Sequence, residues 1–265
     1  MRIATLFALF FTGSLFGSFF YTLALRYSDG RIRKDPLRAL ISRSSCPACH
    51  ASLGVIDLVP VIGFLVRRGR CAHCGERISW LYPTAEIFCG LLIIPVSMKF
   101  PVTSGGAVSP LLLIHSASMY LILCLGVAIS VIDVKSMTIP PPLTIATGIL
   151  SVYPALREGM VKENLYGFLL MLVFFAVILL IFPGSFGGGD LQYASVLGFL
   201  FGLELSVVLL EVSLISGALS GIIYAISTRK GFRARIPFAP FLVFGMIVTL
   251  FYGREILLVY YGIIL

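Results

Sequence analysis

The chain has 265 residues, of which 58% are apolar and 12% charged, and its mean hydropathy is +1.02. A soluble domain averages roughly 45–50% apolar and about 25% charged, so a soluble globule is excluded, as are disordered and collagen-like chains. Twenty Lys and Arg stand against twelve Asp and Glu, a net +8; in a polytopic membrane protein that excess marks loops held on the cytoplasmic side rather than a nucleic-acid surface.

A helix needs about 20 apolar residues to cross the hydrocarbon core. Eight stretches read as spans: 3–25, 85–103, 111–132, 139–156, 164–182, 190–205, 206–227 and 237–256. The expected fold is therefore an all-α polytopic membrane protein of about eight transmembrane helices with a small cytoplasmic zinc-binding domain. The first stretch follows Arg2. It is too long and aromatic for a signal peptide, no small-x-small cleavage site follows it, and it reads as a retained span over residues 1–25.

The next segment, 26–84, holds half of the basic residues: Arg26, Arg31, Arg33, Lys34, Arg38, Arg43, Arg67, Arg68, Arg70 and Arg77. It also holds Cys46-Pro47-Ala48-Cys49 and Cys71-Ala72-His73-Cys74, with 21 residues between the pairs. A CxxC turn aims two sulfurs at one point, and two such turns close a tetrahedron around Zn2+. Four thiolates leave no open coordination position, so the site is expected to be structural. Basic flanks place the segment in the reducing cytoplasm, which disfavours disulfides. His50 and His73 adjoin the pairs and read as exposed neighbours. The run Val55 to Val66 is too short to span and is broken by Pro60 and Gly63; it reads as packing on the membrane face or as the core of the zinc module.

The remainder, 85–265, reads as a transmembrane bundle. With 26–84 inside, the breaks near 133–138, 183–189 and 228–236 also fall inside, and those near 104–110, 157–163 and 204 fall outside. The last inner break carries Arg229, Lys230, Arg233 and Arg235 and no acid, so both strongly basic loops lie on one side without adjustment. The spacings Gly13-x3-Gly17, Gly198-x3-Gly202 and Gly217-x3-Gly221 read as close helix packing. Cys89 and Cys124 read as buried packing residues.

Few acids lie in or at the ends of the spans: Glu86, Asp133, Asp190, Glu204, Glu211 and Glu255. An ionisable group there is expensive and is a functional candidate by default. Glu204 and Glu255 fall near outer ends, and Glu211 gets no role. Asp133 closes the third span, and Asp190 follows Gly187-Gly188-Gly189. Both sit at cytoplasmic ends of different helices at one depth, and the glycines form a flexible backbone that can approach another chain closely. Two facing carboxylates share a proton, because like charges at short range do not both ionise. One then draws a proton from water while the other bonds the scissile carbonyl and later protonates the leaving amine. The competing reading of the pair is two capping or interface aspartates. Lys135 falls on another helical face and snorkels to the interface.

At this point the motifs resemble the bacterial type IV prepilin peptidases, the bifunctional leader peptidase/N-methyltransferases among the GxGD membrane aspartic proteases. Gly17-Ser18-Phe19 is similar to that family's N-terminal motif. The CxxC segment, with Asp57-Leu58-Val59-Pro60 and Gly69-Arg70-Cys71, is similar to its zinc domain. Ile78 to Glu86, Asp133 to Pro140, Gly187-Gly188-Gly189-Asp190-Leu191 and Ile236 to Phe241 match its remaining motifs in order. Tyr21 stands where many members carry Asn, and Pro141 where an acid or Asn often follows. The resemblance implies cleavage of a short basic leader from prepilins or secretion pseudopilins, with Asp133 and Asp190 catalytic. It also implies S-adenosylmethionine-dependent methylation of the new N-terminal residue, for which Glu86 is the candidate binding residue. The implied location is the bacterial inner membrane, with the active site on the cytoplasmic side, and the implied partners are prepilins and the lipid bilayer, not nucleic acid. A non-enzymatic scaffold docking a partner through the zinc module, and a proton-coupled transporter using the acids as a relay, are the alternatives that experiment separates.

Overall fold

Within hydrocarbon no water bonds the backbone, so apolar stretches of this length satisfy their own N–H and C=O groups as helices. The computed structural model describes residues 3–35, 41–104, 107–184, 186–228 and 236–264. The basic break with Arg229, Lys230, Arg233 and Arg235 lies outside the described residues, as do Arg2 and Arg38.

In chain order the helices are α1 (Ile3–Ser28), α2 (Arg31–Lys34), α3 (Ile62–Val66), α4 (Leu81–Lys99), α5 (Pro110–Ser136), α6 (Pro141–Glu158), α7 (Val161–Ile181), α8 (Gly188–Thr228) and α9 (Ala239–Ile264). A two-residue hairpin, β1 (Thr103–Ser104) with β2 (Ala107–Val108), joins α4 to α5. Pro110 and Pro141 open their helices, where the missing N–H is no loss. Gly159, at φ 68, closes α6 in the left-handed conformation common after a helix end.

Among the described residues six helices are long and apolar enough to cross a membrane: α1, α4, α5, α7, α8 and α9. Helix α6 has 18 residues and turns Thr144, Thr147 and Ser151 to its buried side. The hydroxyls of Thr147 and Ser151 are satisfied by carbonyls one turn back, at 2.9 and 2.8 Å, so they enter the bundle without orphaned donors. The sixth and seventh expected spans are the two arms of α8, which break at Gly202 rather than near 205. Gly202 has φ 75 and ψ −179, a region essentially reserved for glycine.

The chain divides into two compact units, the first ending at Ser116 and the second beginning at Ala117. In the first, α1 packs along α4. A Cβ at Gly13 would lie 2.8 Å from the Cys89 carbonyl, and one at Gly17 would lie 2.8 Å from that of Ala85. Backbone cannot step aside, so this glycine stripe is what lets the helices touch. Gly17→Val is expected to cost about 1–3 kcal/mol by overpacking and to lower the thermal unfolding midpoint of the detergent-solubilised chain. Gly262→Ala, with nothing within 4 Å, should leave it unchanged.

In the second unit α8 is central and packs against α6, α7 and α9. Its largest fully buried side chains include Ile129 and Ile132 of α5, Met171 and Phe175 of α7, Tyr193 and Leu197 of α8, and Leu242 and Met246 of α9. These apolar contacts hold the ends of α5, α8 and α9 that carry the second unit's site.

Candidate active site

Asp133 lies in the last turn of α5 with 5% of its surface exposed. Its Oδ2 accepts the N–H of Ala239 at 3.0 Å, and the N–H of Phe238 is a second donor. Ala239 is the first residue of α9. The opening N–H groups of a helix have no partner within it and attract an anion. The stretch Ile236-Pro237-Phe238-Ala239 therefore has a physical task that its residue types did not reveal: its backbone orients the Asp133 carboxylate.

Asp190 lies in the first turn of α8. Its Oδ2 accepts the N–H of Gly187 at 2.8 Å, closing the glycine turn on itself. Its Oδ1 is buried and makes no hydrogen bond among the described residues. A Cβ at Gly189 would stand 2.9 Å from Cβ of Ile139. A glycine is thus required where the start of α8 meets the strand of chain that follows Asp133. This contact sets the stretch of chain that follows Asp133 against the helix turn that carries Asp190. Of the three glycines, this close approach belongs to Gly189; a Cβ at Gly188 would meet nothing within 4 Å.

An aromatic cluster supports both loops. Phe186, just before the glycines, meets Phe238 edge-on at 4.7 Å, and both rings pack against Phe175 of α7. Such pairs contribute about 0.5–1.5 kcal/mol beyond burial. Phe186 is a residue that sequence reasoning passed over. Two of the other acids are elsewhere occupied: Tyr261 donates to Glu204 at 3.1 Å, and Tyr260 donates to Glu211. Lys135 is exposed.

In the first unit the four sulfurs of Cys46, Cys49, Cys71 and Cys74 lie within 4.8 Å of one another. Cys46 and Cys74 are 3.8 Å apart and Cys49 and Cys71 3.9 Å. A tetrahedron with Zn–S near ~2.3 Å has an S···S edge of about 3.8 Å, so the donor set fits a four-thiolate ion. Each pair sits in a backbone knuckle: the His50 N–H returns to the Cys46 carbonyl at 3.0 Å and that of Gly75 to Cys71 at 3.1 Å. His50 and Gly75 occupy the same place after their pairs, and both have positive φ, 58 and 73. His50 is therefore a turn residue, and neither it nor His73 joins the sulfur cluster. The Cys71 sulfur accepts the N–H of His73 at 3.5 Å, a bond that favours the thiolate a metal needs. The module is braced by Arg67, which meets Asp57 at 2.6 Å and holds that carboxyl below the usual range.

Glu86 is buried on α4 and serves this module. Its Oε2 accepts the Val61 N–H at 2.7 Å, and Ser18 of α1 bonds the same carboxylate. Val61 has φ 62 and ψ −50, and the Ile62 N–H reaches back to the Pro60 carbonyl at 2.6 Å. That is a γ-turn centred on a β-branched residue, a strained arrangement that persists only when its surroundings enforce it. Tyr21, in place of the expected Asn, is buried and meets Tyr82 edge-on at 4.7 Å, filling space between α1 and α4.

Residues 11–100 match the bacterial peptidase A24 N-terminal domain, and residues 119–253 match the type IV leader peptidase family. A Bacillus subtilis relative named prepilin leader peptidase/N-methyltransferase is 32% identical over 261 residues, covering 95% of this chain and 96% of its own. The chain belongs to the type IV leader peptidase family. Relatives of the same name from Aeromonas hydrophila and Legionella pneumophila are each 26% identical, over 86% and 90% of this chain and 78% and 82% of their own. No solved structure matches. The resemblance read from the motifs is thereby borne out across nearly the whole length, as is the reading of an all-α, multi-pass membrane chain.

Proposed function

We propose that this chain removes the short basic leader from type IV prepilins and secretion pseudopilins and then methylates the new N-terminal residue. The observation that carries the reading is the convergence of Asp133 and Asp190, through the Gly189–Ile139 contact, in a member of this family. Asp133 and Asp190 share one proton. The ionised member takes a proton from water, whose oxygen forms a bond to the scissile carbonyl carbon. The protonated member hydrogen-bonds the carbonyl oxygen and then passes its proton to the leaving amine as the C–N bond breaks. Ala239 and Phe238 fix Asp133 throughout, and the free Oδ1 of Asp190 is the oxygen left to meet water or substrate. The leader is basic, so the positive residues do not bind it; the acids and backbone carbonyls around the pair do. Gly188 and Gly189 open α8 rather than running extended, so the unwound junction lies beside a helix start whose small residues let another backbone come close.

The pair and the zinc module lie on the cytoplasmic side of the bacterial inner membrane, a reading that the distribution of basic residues supports. The ion held by Cys46, Cys49, Cys71 and Cys74 is zinc, with a structural task. S-adenosylmethionine, when bound, supplies the methyl group. Glu86 remains the candidate residue for that donor, with its carboxylate oriented by Ser18 and the Val61 N–H. Co-expression with a prepilin, followed by mass spectrometry of the pilin N-terminus, reads cleavage position and methylation at once. The expected product is a shortened chain carrying one added methyl group. An uncut prepilin refutes the peptidase reading, and a cut but unmethylated one refutes the second activity.

A further inference from the structure

A groove of about 270 Å³ runs along one face of α1 in the first unit, closed by Ser44 and Leu58. Its α1 residues recur every three or four positions from Leu15 to Arg26, which is one helical face. The groove is amphipathic along its length. Phe19, Leu23 and Leu58 give it apolar walls, Ser18, Thr22 and Ser44 give hydroxyls, and among the described residues the charge on its lining is Arg26. Arg26 is only 8% exposed, and its Nη2 donates to the Ser42 carbonyl at 2.8 Å, which aims the guanidinium rather than leaving it to swing in solvent.

The direction of the groove matters. Helix α1 has 26 residues, so it is about 39 Å long, against about 30 Å of hydrocarbon. Its last turn, with Arg26, stands at headgroup level. Leu15 lies about 16 Å deeper. The cation is at the surface and the apolar walls descend from it, in the order in which a phospholipid presents its parts. The volume is just under the ~300 Å³ at which pockets that enclose a small molecule begin. It suits a ligand held by one end whose remainder stays in the bilayer. The module that supplies Leu58 also exposes Val55, Leu65 and Val66 at 84%, 62% and 59%, the surface of a body resting on lipid.

We propose that this groove seats an anionic phospholipid, its phosphate at Arg26 and the Ser44 hydroxyl and one acyl chain along Leu23, Phe19 and Leu15. Arginine binds phosphate through paired N–H donors, and anionic lipid is the partner that juxtamembrane cations attract. The site is independent of the cleavage reading. Native mass spectrometry of the full chain in neutral detergent tests it, with phosphatidylglycerol, phosphatidylcholine, inorganic phosphate or S-adenosylmethionine added in turn. One phosphatidylglycerol should stay bound at activation energies that strip phosphatidylcholine. Arg26→Gln should lower that adduct at least tenfold, and so should Thr22→Phe, which fills the groove and leaves Arg26 in place. If Arg26→Gln fails to accumulate, Thr22→Phe decides. Equal retention of the two lipids, or retention by Thr22→Phe, overturns the proposal. Displacement of the lipid by inorganic phosphate would make this a simple anion site, and displacement by S-adenosylmethionine a methyl-donor pocket; either also overturns it.

Discussion

Asp133→Asn and Asp190→Asn should each lower leader cleavage by about 10²–10⁴-fold, the range contributed by a positioned acid or base. Both proteins should still accumulate in membranes at the wild-type level. Asparagine keeps the shape of aspartate, and its side-chain oxygen still accepts the Ala239 N–H at position 133 or the Gly187 N–H at position 190. The packing that brings the loops together is thus retained while the proton-handling carboxyl is gone. The measurement is the ratio of mature to precursor pilin over time after induction. Full cleavage by either variant would remove that residue from the mechanism. The two losses should not add, because either variant alone leaves the other acid without a partner to share a proton. If the acids were instead a proton relay for transport, neither wild type nor variant would yield a mature pilin.

The second large effect concerns the metal. The purified chain should carry about one zinc (one four-ligand site), and Cys46→Ser combined with Cys71→Ser should carry none. A structural zinc contributes apparent folding free energy of about 10–16 kcal/mol in small finger peptides, far more than the Asp57–Arg67 pair, whose Arg67 partner is partly exposed, supplies. The module should therefore lose its fold locally while the spanning helices stay helical. Limited trypsin digestion reads this directly, because Arg67, Arg68, Arg70 and Arg77 lie between or beside the knuckles. Rapid cutting there in the double variant, with circular dichroism almost unchanged, is the expected result. Equal resistance in both proteins would show that the thiols do not hold the module together.

Most of the architecture was legible because the bilayer permits few solutions. Apolar runs of the right length have to be helices, and the small-x3-small spacing of Gly13 and Gly17 marked a helix contact that the α1–α4 packing bears out. The break inside α8 was harder to place, because hydropathy is continuous through Gly202 and a backbone turn leaves no trace in it. The four cysteines were legible from spacing, since two short turns can only converge or diverge. Asp133 and Asp190 stood out because acids are rare in such runs. Their supports did not. The donors to Asp133 are the backbone N–H groups of Phe238 and Ala239, and any residue type offers an N–H. Phe186 looked like one more of 21 phenylalanines. Glu86 stood out for the same reason as the aspartates, yet the structure engages it with Val61 and Ser18. Rarity marks a residue as important without telling what it touches.

The two acids are held by unlike means: Asp190 by its own turn, Asp133 by the amino end of a helix that begins 106 residues later. This has a consequence for biogenesis. As the chain emerges and its helices enter the bilayer in order, Asp190 acquires its cap at once, but Asp133 waits for the final helix. A half-inserted chain therefore holds both aspartates, but Asp133 still lacks its Ala239 donor. On the proposed mechanism, cleavage then waits for α9, and a chain stopped before Ala239 should be inserted but yield no mature pilin.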